Sequence, residues 1–418
     1  MKKKYTKPRV GVLIGSLGGG GAERMAMRLV EHLPERGYDA CLLALDRNRD
    51  YDGTDGSATT EHTFEHLSGA NVNWPTVAKV AMAPWQWMQL NRRLKNLKPD
   101  LLISFMERAN IINLAQQSIP RKIISIRTHY SMMMAAKSPL KRTLVSTAYQ
   151  RLLPAAQKIV FNSVESKYDF ERIYAPGAHK TRVAHNFCDQ KQLQALAQAP
   201  LPVPLSLPPA GGPLVVSCGR LSRQKGHCHL LRAFRAVGRT HPAARLVICG
   251  TGPLKTDLIR YCRRLQIEEQ VIWTGFLPNP LPLMAMADLL VLPSLWEGFP
   301  NVLLEAMALE TPVVAADCIS GPRELLVPGS DPALKTDRLE QTPCGVLVPP
   351  MDGRYRWHET RLSGAEATLA RAISLMIEDD AYRLGCAAAA LERAHDFSPQ
   401  AAMEQWRKAI EEVLHFDI

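Results

Sequence analysis

The residues of this chain whose types and spacing could do chemistry lie in two short stretches. In SLWEGFPNVLLEAMALETPVVAADCISGPREL, Ser294 to Leu325, Glu297 and Glu305 stand on either side of a Gly-Phe-Pro turn and the start of an apolar helix. Pro300 suits a first helical position, so Glu297 falls in the loop, and Glu305 lies a turn into the helix with its side chain tilted back toward the N-terminus. Both carboxylates can then face one ligand. Carboxylates accept strongly from hydroxyls, so the pair suits a polyol such as ribose or a hexose. Backbone N–H groups around Phe299, Asn301 and Val302 lie at the positive end of that helix, where they could hold a phosphate. The second stretch is GRLSRQKG, Gly219 to Gly226, whose Arg220 as a fork and Lys225 as a point charge could hold a diphosphate. Taken singly, each has a plainer reading: Glu305 as an ordinary first-turn helix charge, and GRLSRQKG as a solvated basic loop.

These side chains need elements to carry them. RVGVLIGSL, GGGGAE, RMAMRLVEHLPERG and YDACLLALD run as strand, turn, helix and strand from Arg9. In the turn, Gly19, Gly20 and Gly21 leave bare backbone that can approach an anion at a helix start. The turn is not a GxGxxG fingerprint, although Asp46 lies near the distance at which that motif places its acid. Strand-like runs recur at 100–105, 122–127 and 158–163 with helical segments between, which predicts a mostly parallel sheet covered on both faces. AQAPLPVPLSLPPAGGP, Ala197 to Pro213, forbids regular structure and reads as a linker. A second series follows in PLVVSCGRL, ARLVICGTG, QVIWTGF, ADLLVLP, TPVVAAD and CGVLVPP. Arg220 and Lys225 then follow the first strand of that series, at the carboxyl end where doubly wound sheets bind ligands. The expected organisation is a first Rossmann-like domain over 1–195, a linker over 196–213 and a second Rossmann-like domain over 214–398. A last helix within 399–418 returns to the first domain. The fold class is α/β, two doubly wound domains facing across a cleft that is the default ligand site.

Composition narrows the function. With 418 residues, 46% apolar and 22% charged, the chain can bury two full cores and is neither disordered nor collagen-like. No apolar run reaches the length of a membrane span, and the basic N-terminus leads into a strand-like VGVLI and glycines, so it reads as a first strand and not a signal peptide. Nine cysteines without CxxC spacing fit a reduced, cytoplasmic setting. A net charge of +11 favours an anionic partner: nucleic acid, anionic lipid or a phosphate-bearing substrate.

The run SLWEGFPNVLLEAMALETPVVAAD resembles the signature of the retaining family 4 glycosyltransferases, two glutamates separated by seven residues. The chain also carries a GRL-x3-KG loop, a GGAER-like start, a VAHNFCD segment and CGVLVPPMD similar to those of the family, and together these span nearly its full length. The resemblance implies the GT-B arrangement and transfer of a hexosyl or N-acetylhexosaminyl unit from a nucleoside diphosphate sugar. It implies retention by a front-face route, with the leaving phosphate helping to deprotonate the acceptor. Glu297 would contact donor-sugar hydroxyls, Glu305 the ribose, and Arg220 with Lys225 the diphosphate. His129, in RTHYS after a first-domain strand, stands where many relatives have a histidine near the transferred sugar; Arg127 is the alternative cleft residue, on the acceptor side. Two departures are evident: Glu310 where the family usually has Gly before Thr-Pro, and Ala184-His185 in place of the commoner Ile-Pro.

No cofactor or metal is expected, because Arg220, Lys225 and the helix end can neutralise the diphosphate; Asp50 and Asp52 form a DxD in a polar loop that guarantees too few oxygen ligands for a hard cation. The partners implied are a UDP-sugar, with GDP-mannose the alternative donor, and a glycan or polyprenyl-diphosphate-linked acceptor, not nucleic acid. Residues 83–98 and 131–153 combine Trp, Met and Leu with Arg and Lys at helical spacing, as peripheral helices on the cytoplasmic face of the inner membrane do, or as amphipathic helices with a core face do. Other readings of the same paired domains are a nucleotide-sugar epimerase, a sugar phosphorylase and a noncatalytic nucleotide-sugar-binding scaffold; nothing suggests the hydride chemistry of a nicotinamide dehydrogenase.

Overall fold

Apolar runs too continuous for a half-exposed strand alternate with helices along the whole chain, and they form two parallel sheets, each covered on both faces. The computed structural model describes residues 7–17, 20–46, 64–66, 83–201, 212–358 and 361–415. By its contacts the chain divides into Met1–Asn186 with Pro399–Ile418, and Phe187–Ser398.

The first unit opens with β1 (Arg9–Ile14), α1 (Gly21–His32), β2 (Asp39–Ala44) and β3 (Phe64–His66), followed by α2 (Ala83–Leu97), β4 (Leu101–Phe105) and α3 (Glu107–Ala115). It continues with β5 (Lys122–Ile126), α4 (Tyr130–Ala135), α5 (Pro139–Leu152), β6 (Lys158–Phe161), α6 (Val164–Tyr174) and β7 (Thr181–Val183). Among the described residues the sheet has seven strands in the order β3-β2-β1-β4-β5-β6-β7, and the pairs are parallel. The amphipathic helices show what a mixed sequence does here. α2 packs Leu90 and Leu94 into the core and leaves Trp85, Trp87 and Met88 exposed. α5 likewise buries Val145 and Tyr149 and exposes Leu140 and Leu144.

The second unit begins earlier than the proline-rich stretch. α7 (Gln190–Ala197) belongs to it because Leu193 packs in one core with Leu281 and Leu304, and Cys188 N–H donates to Phe397 O at 3.1 Å. The expected boundary at 195–196 therefore moves back to Asn186–Phe187, and 202–211 of the expected linker lie outside the described residues. Then come β8 (Leu214–Cys218), α8 (His227–Thr240), β9 (Arg245–Cys249), α9 (Lys255–Arg264), β10 (Val271–Gly275), α10 (Leu281–Ala285) and β11 (Leu289–Leu292). α11 (Asn301–Ala308), β12 (Val313–Ala316), α12 (Pro322–Leu326), β13 (Glu340–Thr342), β14 (Gly345–Val348), α13 (Gly364–Glu378) and α14 (Asp380–Ala394) complete it. The strand order is β10-β9-β8-β11-β12-β14-β13, parallel except for the β13–β14 pair. Successive strand residues face opposite sides, so Val215 joins the core with Phe234 and Ile248 while Val216 joins the one with Val247 and Leu304. On the first face Glu366, at the start of α13, accepts from His229 at 2.8 Å and Arg232 at 2.9 Å, which fastens α8 to α13.

α15 (Pro399–Leu414) returns to the first unit. Trp406 is wholly buried with its ring 5.7 Å from that of Phe105, and Glu412 pairs with Lys158 and, at 2.6 Å, Arg182. Both departures from the family pattern have a local account. His185 N–H donates to Gln405 Oε1 of α15 at 2.9 Å, a bond that a proline there could not make. Glu310 takes a left-handed φ of 56° just after α11, where glycine carries no Cβ penalty, so the glutamate bears local strain. Among the described residues no helix is long and apolar enough to cross a membrane.

Candidate functional site

In the second sheet β8 and β11 are neighbours, yet the chain leaves β8 toward β9 on one side and leaves β11 toward β12 on the other. Loops diverge at such a switch point and open a crevice at the strands' carboxyl ends. Arg220 and Lys225 lie on the loop after β8, and Glu297 on the loop after β11. The two loops are stitched together: Leu295 N–H donates to Gln224 O at 2.7 Å, and Gln224 Nε2 donates to Trp296 O at 2.9 Å. Gly226 turns the first loop into α8 with φ 64°, and a Cβ there would sit 2.0 Å from Pro293 O, so only glycine allows the approach.

At the centre Lys225 Nζ donates to Glu297 Oε1 at 2.6 Å, and Ser294 Oγ donates to the same oxygen at 2.6 Å. A further loop backs the turn. Glu297 N–H donates to Ile319 O at 2.9 Å and Ser320 Oγ to Gly298 O at 2.8 Å, while Gly321, at φ 100°, lies so close under Pro300 that a Cβ would meet its Cδ at 2.4 Å. The Arg220 side chain is exposed and has no partner among the described residues, so its fork is available to an anion. Glu305 is buried on α11; its charge, after the hydrogen bond to Cys249 and burial, contributes to holding the Cys218 thiol well above its ordinary range at the end of β8. Phe299 turns its ring into the core against Phe397, 5.3 Å away. Asn301 and Val302, half-buried, open α11, where Leu303 and Leu304 N–H already close onto Pro300 O at 3.0 and 3.2 Å.

The first-unit candidates are placed differently. Gly20 caps α1 and Gly21 begins it, while Gly19 lies outside the described residues. The Glu23 carboxylate folds back over this helix start, with Oε2 2.2 Å from where a Gly20 Cβ would stand, and burial pushes its pKa up. An anion arriving at α1 would meet that carboxylate first. Asp46 is held by Arg108 at 2.8 Å and Gln86 at 3.3 Å. Arg127 is buried at the end of β5, donating to Ala184 O at 3.1 Å and to Asn186 Oδ1, with its guanidinium 5.5 Å from the Phe105 ring centre; burial lowers its pKa to about 9. It ties β5 to the 184–186 segment and does not reach into solvent. His129 is buried too, at the start of α4, with Nδ1 3.3 Å from Asp169 Oδ2. Among the described residues no three His, Cys, Asp or Glu side chains gather as a metal site; Asp50 and Asp52 lie outside those residues.

The chain matches the family described as Glycosyltransferase Family 4 over residues 19–192 and that described as Glycosyl transferases group 1 over residues 206–348. An uncharacterised glycosyltransferase of Methanocaldococcus jannaschii is 30% identical over 76% of this chain and 80% of its own. The chain belongs to the family 4 glycosyltransferases. A second relative of this glycosyltransferase is 28% identical over 76% of its chain and 83% of the relative's. That relative is the N-acetylgalactosamine-N,N'-diacetylbacillosaminyl-diphospho-undecaprenol 4-alpha-N-acetylgalactosaminyltransferase of Campylobacter jejuni. Anabaena HepE in complex with UDP matches in structure with a TM-score of 0.70 at 20% identity, over 97% of this chain and 100% of that one. The two parallel-sheet domains of the glycosyltransferase are thus those of the GT-B fold.

Sequence reasoning passed over Ser294, Gln224 and Ser320. Ser294 stands within the glutamate stretch itself, three residues before Glu297, and that spacing was the available signal. The hydrogen bond of Ser320 to Gly298 spans 22 residues and left no local trace.

Proposed function

We propose that this glycosyltransferase moves a hexosyl or N-acetylhexosaminyl unit from a UDP-sugar to a polyprenyl-diphosphate-linked or other glycan acceptor, with retention at the anomeric carbon. The observation that carries the reading is the convergence of Arg220, Lys225 and Glu297 at the carboxyl ends of β8 and β11. A diphosphate suits the two cations, and sugar hydroxyls suit the carboxylate. In the reaction the bond from the sugar's C1 to the leaving phosphate oxygen breaks, and a bond from C1 to the acceptor oxygen forms on the same face. The acceptor's proton passes to the departing phosphate. The protein then contributes positioning and stabilisation of the leaving charge, and the two cations do this without a metal. The UDP in HepE and the diphospho-undecaprenol in the Campylobacter relative's name support the choice of donor and acceptor.

An acceptor on a lipid places the enzyme at a membrane surface. Trp85, Trp87 and Met88 on α2, and Leu140 and Leu144 beside Lys141 on α5, offer exposed apolar side chains near cations, as interfacial helices do. Peripheral docking at the cytoplasmic face follows, tested by co-sedimentation with anionic and neutral vesicles.

The deciding experiment is thermal-shift binding to UDP, GDP, ADP and their common sugars, with and without magnesium. A ligand that binds only the native state raises the melting temperature. A shift with the uridine compounds independent of magnesium is the expected result; a shift confined to guanosine compounds moves the donor to a GDP-sugar. No shift with any nucleotide, in a protein that melts cooperatively, overturns the proposal. The anomeric configuration of the product, read by NMR, tests retention.

A further inference from the structure

Glu297 is held by one oxygen only. Lys225 and Ser294 both donate to Oε1, each at 2.6 Å, and the backbone N–H of Glu297 is fixed on Ile319 O at 2.9 Å. Oε2 has no partner among the described residues and is not sealed from solvent. A carboxylate has about four acceptor positions. With Oε1 occupied by two donors, the remaining capacity lies on Oε2, at the carboxyl end of β11 where the donor sugar is assigned.

Ser294 itself is fully buried, so it touches no ligand. It stands two residues past β11, and its bond to Oε1 fixes the torsion of a Glu297 side chain whose other oxygen is free. Lys225 cannot do this alone. A flexible ammonium on a four-carbon stem constrains direction weakly, and the same cation is needed by the diphosphate. When a diphosphate draws Lys225 toward itself, the serine bond is the one that keeps Oε1 turned inward and Oε2 outward.

We infer that Ser294 is a positioning residue for the donor sugar: it holds Glu297 so that Oε2 accepts from a sugar hydroxyl, and it acts on the sugar but not on the nucleotide. This rests on the donor-site reading above. The chemical consequence is a division of labour within one ligand. The nucleoside diphosphate is bound by groups independent of Ser294, whereas the transferred sugar is recognised through it.

The test compares wild type, Ser294→Ala and Ser294→Thr in three measurements: the Kd for UDP by calorimetry, KM and kcat for UDP-N-acetylgalactosamine and UDP-glucose, and the melting temperature. Should the panel above select GDP, then GDP and GDP-mannose take their place. For Ser294→Ala the expected result is a UDP Kd within about twofold of wild type and a KM for the nucleotide sugar raised about tenfold, the size of one hydrogen bond to a charged group. Ser294→Thr keeps the hydroxyl and restores most of the KM; should its methyl prevent folding, the Ser294→Ala split decides alone. Equal weakening of UDP and nucleotide-sugar binding shows general damage to the loop and overturns the inference, as does a KM unchanged by the loss of the hydroxyl. A wild type that binds no nucleoside diphosphate overturns the donor-site reading and this one together; wild-type turnover with an unaffected Ser294→Ala enzyme overturns this one only.

Discussion

At the scale of single residues, Glu305 and Lys225 are expected to fail in different ways when cut back to alanine. Glu305 is assigned to the ribose, which changes little between bound donor and transition state, so Glu305→Ala should raise the donor KM by about tenfold and leave kcat near wild type. In the proposed reaction Lys225 faces a phosphate whose charge grows as the bond breaks, so Lys225→Ala should lower kcat about a hundredfold. Steady-state kinetics at varied donor separates the two, and identical profiles would refute the assignment. Both residues stand in local motifs, which is why the sequence offers them as candidates. Their partners were not. Lys225 meets Glu297 across 72 positions and Arg127 meets Asn186 across 59, so no window of sequence reveals that the first makes an ion pair or that the second is buried. Glu23 was hidden for another reason: an acid in the first turn of a helix reads as ordinary dipole chemistry, and only its position beside Gly20 shows that it covers the glycine turn the sequence offers to an anion.

Among the elements, α8 carries a titration of its own. His227 is its first residue, is fully buried, and has its pKa lowered to about 3 by burial and then by Lys225. The unfolded imidazole titrates near 6.5, so between about 6.5 and 3 the unfolded chain binds a proton that the folded chain refuses. Stability falls as pH drops through that window, by about 2 kcal/mol from this one group at pH 5. Denaturant unfolding at pH 7 and pH 5 should show that loss in wild type and a smaller one, by about the same amount, in His227→Gln. The element types themselves were readable, since strand runs such as LLISF and KIISI are buried at every position and alternate with helices as a parallel sheet requires. Boundaries were less so. α7 looks like the tail of the first series and joins the second because its Leu193 has a core to enter there.

Across the whole molecule, the chain begins in one unit, builds the other and comes back. α15 supplies Trp406 to the core beside Phe105 and Glu412 to Lys158 and Arg182. A chain ending at Ser398 should therefore lose hydrogen-exchange protection in β4, β6 and β7 while β8 to β12 keep theirs; uniform protection in the truncated chain would contradict this role. The second unit is continuous in sequence and the first is not.

All nine cysteines are buried and none is in a disulfide, Cys41 in the first unit and the other eight in the second. Thiol reagents react only with what opens, so their rate of uptake is a clock for each unit, built into the native chain with no added label. Cys218 and Cys249 end the strands beneath the Arg220 loop. A nucleotide held there should slow alkylation at those two positions, read by peptide mass spectrometry, and leave the rate at Cys41 unchanged.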